Sequence, residues 1–119
     1  MKLEEASDKV LNRAMAEKFN WKMYGYGTPC VITPKGNHEC HGPPDYCNDP
    51  RETHKLKVNM AKRGIVIASH VLATEMPGML PGVARTLSPE MGDLQYAMTE
   101  SRAVVLVALA ALGVTEVEG

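Results

Sequence analysis

Aromatic residues are scarce: one Phe, one Trp and four Tyr in 119 residues, or 5%. A single-strand nucleic-acid platform stacks successive bases on aromatic rings, so that class loses weight. Excess charge of one sign is also missing. Thirteen Lys and Arg face fourteen Asp and Glu, leaving a net charge of -1. A duplex-DNA binder that works by charge alone is normally basic, so duplex DNA is not an expected partner. Long hydrophobic runs are absent too. The longest, residues 103–112, covers ten positions. A membrane span needs about 20, so no membrane crossing is expected. Three cysteines are an odd number and do not make a disulfide scaffold. Met1-Lys2-Leu3-Glu4-Glu5 has no apolar signal region behind it, which predicts an uncleaved, cytoplasmic chain with free or metal-bound thiols.

What is present is a 45% apolar content, enough to bury the core of one domain. Residues 3–19 read as a helix: Leu3, Ala6, Val10, Leu11, Ala14 and Met15 recur at spacings of three and four. Residues 21–49 are broken by Gly and Pro and form an irregular insert, with short strands conceivable at 21–24 and 30–33. Residues 50–75 read as a second helix, with Asp49 as N-cap, Pro50 at its first position and Gly64 tolerated inside at about 1 kcal/mol. Residues 88–112 read as a third, capped by Ser88 and stopped by Gly113. The expected fold is therefore mainly α. An antiparallel helical hairpin (50–119) follows an N-terminal helix and a Gly/Pro-rich Cys/His loop (1–49), all in one compact domain.

Residues 103–112 are apolar on every side, whereas a surface helix needs one apolar stripe. Either the rest of the chain covers the second face, or a second subunit does. The second option predicts a homo-oligomer.

Three groups of residues carry chemistry. His38, Cys40, His41 and Cys47 crowd into ten positions, with Cys30 upstream. Imidazole and thiolate are the usual zinc ligands, and four of them close a structural site. Their spacing has no Cys-x-x-Cys pair, so an ordinary surface loop stands beside the zinc reading. Lys62 and Arg63 lie on a basic second helix that also carries Lys55 and Lys57. Gln95, Thr99 and Arg102 share one face of the expected third helix by spacing. Together the last two groups could hold a phosphorylated ligand, or form solvated faces. No nucleophile–base pattern or paired carboxylates are visible, so no enzymatic activity is expected.

The stretch from Ala97 to Ala111 resembles the last helix of phage sponges that sequester cyclic nucleotide signals, the anti-CBASS and anti-Thoeris proteins with a shared helical hairpin. The likeness rests on an Ala-x-Thr step, Ala97 and Thr99, then a small, apolar segment with Val105, Ala108, Ala110 and Ala111. Leu109 departs from it, standing where the family tends to place Arg or Asn. The resemblance spans residues 50–112. It implies an oligomeric viral protein of the host cytoplasm that binds cyclic oligonucleotides or cyclic ADP-ribose-like signals without cleaving them, with Thr99 as a ligand contact. The alternative is a small zinc-stapled helical adaptor that binds protein or nucleic acid. A further possibility is an enzyme subunit whose catalytic residues lie on another chain.

Overall fold

The computed structural model describes residues 1–24, 30–72 and 80–118. After a 3-10 turn at Leu3–Glu5, Ser7 caps α1, Asp8–Lys18, its hydroxyl accepting from the Val10 amide. Leu11 and Met15 face the core from α1. Asn20 follows with a left-handed φ of 68°, a conformation Asn tolerates better than most residues. The chain then enters β1, Lys22–Tyr24, which pairs antiparallel with β2, Cys30–Ile32, which in turn pairs with β3, His38–Glu39. Part of the insert is thus a three-stranded meander.

α2 spans Pro50–Lys62 and starts as expected, with the Asp49 side chain accepting from the Arg51 amide. It stops thirteen residues short of position 75. Gly64 is not an interior glycine: its φ of 83° is left-handed and terminates the helix. The following Ile65-Val66-Ile67 is β-branched, and β-branched side chains favour a pleated surface. Val66–Val71 accordingly forms β4. β5, Gly82–Ser88, and β6, Gln95–Ala97, complete a second antiparallel meander, in register through Ser69 opposite Ala84 and Gly82 opposite Ala97.

The third helix, α3, spans Glu100–Ala111. The expected cap, Ser88, instead ends β5, and the Ser88–Pro89 peptide is cis. Thr99 is the true N-cap, its hydroxyl accepting from the Arg102 amide. The expectation of a mainly α helical hairpin is therefore corrected. Among the described residues the fold is mixed, with three α-helices and two three-stranded antiparallel sheets.

The helices are not antiparallel either. The Thr53 hydroxyl donates to Ser101 Oγ at 2.6 Å, joining the first turns of α2 and α3. Arg102 reaches Asp8 at the start of α1. Arg63 Nη2 donates to the Lys18 carbonyl, joining the far ends of α2 and α1. All three helices therefore begin at one end of the molecule.

α3 forms the centre of the core. Ala103 through Leu109 are all buried, with the β4–β5–β6 sheet on one side and α1 and α2 on the others. A helix with neighbours all round needs apolar residues all round. The same chain, rather than a second subunit, covers this segment. Gly82 marks the closest approach: a Cβ there would collide with the Thr99 carbonyl. Residues 1–49 and 50–119 share this one core. Among the described residues, no helix is long and apolar enough to cross a membrane.

Candidate functional site

The scarce aromatics converge. Phe19 at the end of α1, Trp21 just beyond it and Tyr46 line one open cleft of about 630 Å³, a size typical of small-molecule sites. The only Phe and the only Trp of the chain are both there. Phe19 and Tyr46 rings stand 6.2 Å apart, and Trp21 lies 6.5 Å from the His41 ring. Pro43 and Pro44 stiffen the wall between them.

Local structure explains the placement. Asn12, buried on α1, donates through Nδ2 to Asp45 Oδ1 at 2.9 Å and accepts from the Cys47 amide at 3.0 Å. These two bonds pin residues 45–47 against α1 and set the Tyr46 ring beside Phe19. From the opposite side, α2 contributes Glu52, Lys55 and Asn59, with Arg63 just past its end. Steps of three and four residues put all four on one helical face.

The cleft carries charge of both signs: Lys55 is paired with Glu52 and His41 with Glu39, and Arg63 is the lining cation that pairs with no carboxylate among the described residues. Arg63 lies 5.0 Å above the Phe19 ring, a cation–π stack that leaves its charge at the cleft. Lys55 is held by Glu52 at 3.4 Å. His41 is raised above the ordinary histidine value by the Gly42 carbonyl and then by Glu39, which favours its protonated form. Burial, aided by Glu52, pushes the Tyr46 hydroxyl up, so it stays neutral. Flat rings plus cations are the combination that grips a planar anion.

The residues expected from sequence are divided. Arg63 lines the cleft, whereas Lys62 does not and is exposed at the last turn of α2. Thr99 and Arg102 border a different groove of about 570 Å³ with Tyr96 and Asn48. The Thr99 hydroxyl and both terminal nitrogens of the Arg102 guanidinium are engaged within the chain. Thr99 also donates to the Cys47 carbonyl at 2.8 Å, and Arg102 donates to Asp8 and to the Ala6 and Glu4 carbonyls. Gln95 sits on β6, not on a helix with Thr99. Arg63 and Arg102 lie at opposite ends of α1, roughly 15 Å apart at 1.5 Å per residue. The expected joint patch is not assembled.

The four expected zinc ligands are also separated. His38 Nδ1 meets the Tyr24 hydroxyl at 3.1 Å. Cys40 meets Cys30, and His41 meets Gly42 and Glu39. Cys47 is buried with its thiol toward the Asp8 carbonyl, and burial together with the Asp8 charge pushes it up to about 12, which keeps it a neutral thiol. Among the described residues, no three His, Cys, Asp or Glu side chains converge as a metal site requires.

No protein-family model and no curated protein matches the chain. A solved structure does: a phage protein from Bacillus cereus ATCC 14579, at 15% identity and a TM-score of 0.63, over 93% of this chain and 92% of that one. At that identity the likeness establishes a shared fold alone.

Proposed function

We propose that this chain is a non-catalytic binding protein and that its ligand, a nucleotide-like planar anion, sits in the Trp21 cleft. One observation carries the reading: the chain's only Trp and only Phe, with Tyr46 and His41, meet Lys55 and Arg63 in one open cleft. The rings offer stacking to a base, and Arg63, joined by Lys55 and His41 if a ligand displaces Glu52 and Glu39, offers charge-assisted hydrogen bonds to phosphate. Sequestration of a cyclic oligonucleotide or cyclic ADP-ribose-like signal is the specific form of this proposal. It now rests on the cleft rather than on Thr99 and Arg102. The phage origin of the structural neighbour is compatible with it.

The single Trp makes the test direct. Titration with cyclic di- and trinucleotides, cyclic ADP-ribose isomers and linear mononucleotides is expected to change Trp21 fluorescence saturably, with matching heat in calorimetry. No spectral change and no heat with any of them would refute the reading.

A second reading, a protein-binding adaptor that also self-associates, is favoured by a different observation. Leu80, Leu87, Met91, Leu94, Tyr96 and Met98 are exposed along β5, β6 and their flanking loops. Apolar patches of this kind often mark interaction surfaces. Sedimentation of the wild type against Leu94→Lys tests this face: a dimer lost in the variant supports self-association through it, and a wild-type monomer at every concentration removes it.

A further inference from the structure

We propose that Cys30 and Cys40 form a reversible dithiol–disulfide pair on the exposed face of the β1–β2–β3 sheet. Strand register supplies the first argument. Val31 lies opposite Glu39 and Ile32 opposite His38, so the next step outward places Cys30 opposite Cys40. The Thr33 amide donates to the Asn37 carbonyl at 2.8 Å, which makes Thr33 and Asn37 a hydrogen-bonded pair. In an antiparallel ladder such pairs alternate with non-hydrogen-bonded ones. Counting along the strands, Val31–Glu39 is hydrogen-bonded and Cys30–Cys40 is not. Non-hydrogen-bonded positions bring Cα atoms to about 4.5 Å, which lies within the span a disulfide can bridge.

Side-chain geometry agrees. The Cys30 and Cys40 sulfurs are 3.3 Å apart, with the Cys30 thiol donating to Cys40. A disulfide bond is about 2.0 Å, so closure needs a shift of roughly one ångström. Both thiols are free, Cys40 being exposed and Cys30 half-buried. Period two along the strands puts Tyr24, Cys30, His38 and Cys40 on one face. The Tyr24–His38 hydrogen bond ties β1 to β3 across it, which holds the three strands in this register. Cys47 is sealed in the core and has no part in the pair.

The oxidant is a small disulfide. The exposed Cys40 thiolate attacks one of its sulfurs and releases one small thiol, leaving a mixed disulfide. Cys30 then gives up its proton and attacks the Cys40 sulfur, displacing the second small thiol. In sum, two protein thiols and one small disulfide become one protein disulfide and two small thiols, and both protons leave on the released thiols. Excess small thiol runs the steps backwards.

The test equilibrates the full chain with mixtures of glutathione and glutathione disulfide, quenches in acid, denatures, and alkylates with N-ethylmaleimide for mass spectrometry. Reduced protein should take three adducts, one for each cysteine. Oxidised protein should take one, mapped to Cys47. Lys35 lies between the pair, so trypsin should yield a Cys30 peptide joined by the disulfide to peptide 36–51, which holds both Cys40 and Cys47, and fragmentation should place the alkyl adduct on Cys47 and the linkage on Cys40. Cys30→Ser should stall at the mixed disulfide on Cys40. The proposal is overturned if wild-type protein keeps three alkylatable cysteines in every mixture, if the mixed disulfide accumulates as it does in Cys30→Ser, or if the linkage involves Cys47 or a second chain. The readout does not involve the cleft, so a failure here is distinct from a failure of the ligand reading.

Discussion

Arg102 separates two accounts of α3. If its guanidinium were available to a ligand, Arg102→Ala would leave the fold intact and weaken anion binding. The structure predicts the reverse. Arg102 Nη1 donates to Asp8 Oδ1 at 2.6 Å, and Nη2 donates to the Ala6 carbonyl at 2.6 Å and the Glu4 carbonyl at 3.3 Å. A hydrogen bond to a charged group contributes about 1.5–3 kcal/mol net. The Asp8 side chain is 43% exposed, and the Glu4 contact is long, so those two count at the low end or below it. Truncation should then destabilise by about 3–4 kcal/mol in all. With a urea slope of about 2 kcal/mol per molar, the unfolding midpoint drops by about 1.5–2 M. Asp8→Asn removes only the charged part and should cost about 1 kcal/mol. Burial by itself would raise the Asp8 pKa, but hydrogen bonds from Arg102 and Asn48 and the Arg102 charge outweigh it and leave the carboxyl below its usual value. The pair's contribution is therefore complete above the ordinary aspartate value and fades as pH falls through the lowered one. Wild type and Asp8→Asn should converge in acid, while Arg102→Ala stays weaker through its lost carbonyl bonds. An Arg102→Ala protein with an unchanged midpoint and lost nucleotide binding would refute this reasoning.

Other variants test the remaining contacts. Gly82→Ala should destabilise by about 1–3 kcal/mol or fail to fold, because the new methyl meets the Thr99 carbonyl; thermal melts showing wild-type stability would contradict that close approach. Leu106→Glu places a charge in the core, so loss of the folded circular-dichroism signal is expected, and a folded monomer would mean that α3 is not central. Trp21→Ala should weaken nucleotide binding by about ten- to a hundredfold by calorimetry, given about 1–3 kcal/mol per stacked base, measured well below the melting temperature because Trp21 also packs against the core and its loss lowers stability. His41 stays protonated above its ordinary range, so affinity for an anionic nucleotide should be greatest at low pH and fall as pH rises through that raised value; His41→Gln should flatten the profile.

Local signals that have a single structural meaning were legible. Asp49 and Pro50 start α2, and Gly113, with a φ of 84°, ends the region of α3. Signals with two meanings misled. Val58, Ala61, Ile65, Ala68 and Leu72 fit a helical period, yet the last three fall in or beside a strand. The run Ile65-Val66-Ile67 satisfies either period, and a glycine with positive φ between the halves decides between them. Ser88-Pro89-Glu90 imitates a helix start as well as Thr99-Glu100-Ser101 does. Only the sheet, which requires Gln95–Ala97 as its third strand, places the start at Thr99. The burial of α3 on all sides was visible in its composition, but composition does not say whether one chain or two supplies the cover.

The site was less legible because it is assembled from distant pieces. Phe19, Trp21, His41, Tyr46 and Arg63 become neighbours only through the Asn12 bonds to residues 45–47 and the docking of α2 beside the end of α1. One part was readable in advance: Glu52, Lys55, Asn59 and Arg63 form a polar comb on one helical face. The Cys/His cluster shows the opposite error, in which closeness in sequence is taken for closeness in space. A loop makes neighbours of His38, Cys40, His41 and Cys47, but the strand keeps His38 and Cys40 on the face of Tyr24 and Cys30, where each has its own partner, while His41 turns to Glu39. Cys40 consequently faces Cys30, ten positions upstream, while Cys47 is carried into the core by the same loop that sets Tyr46 in the cleft. The functional reading therefore moves from a zinc staple and an α3 stripe to two other places. One is a cleft at the far end of α1, and the other is a cross-strand thiol pair on the meander beside it.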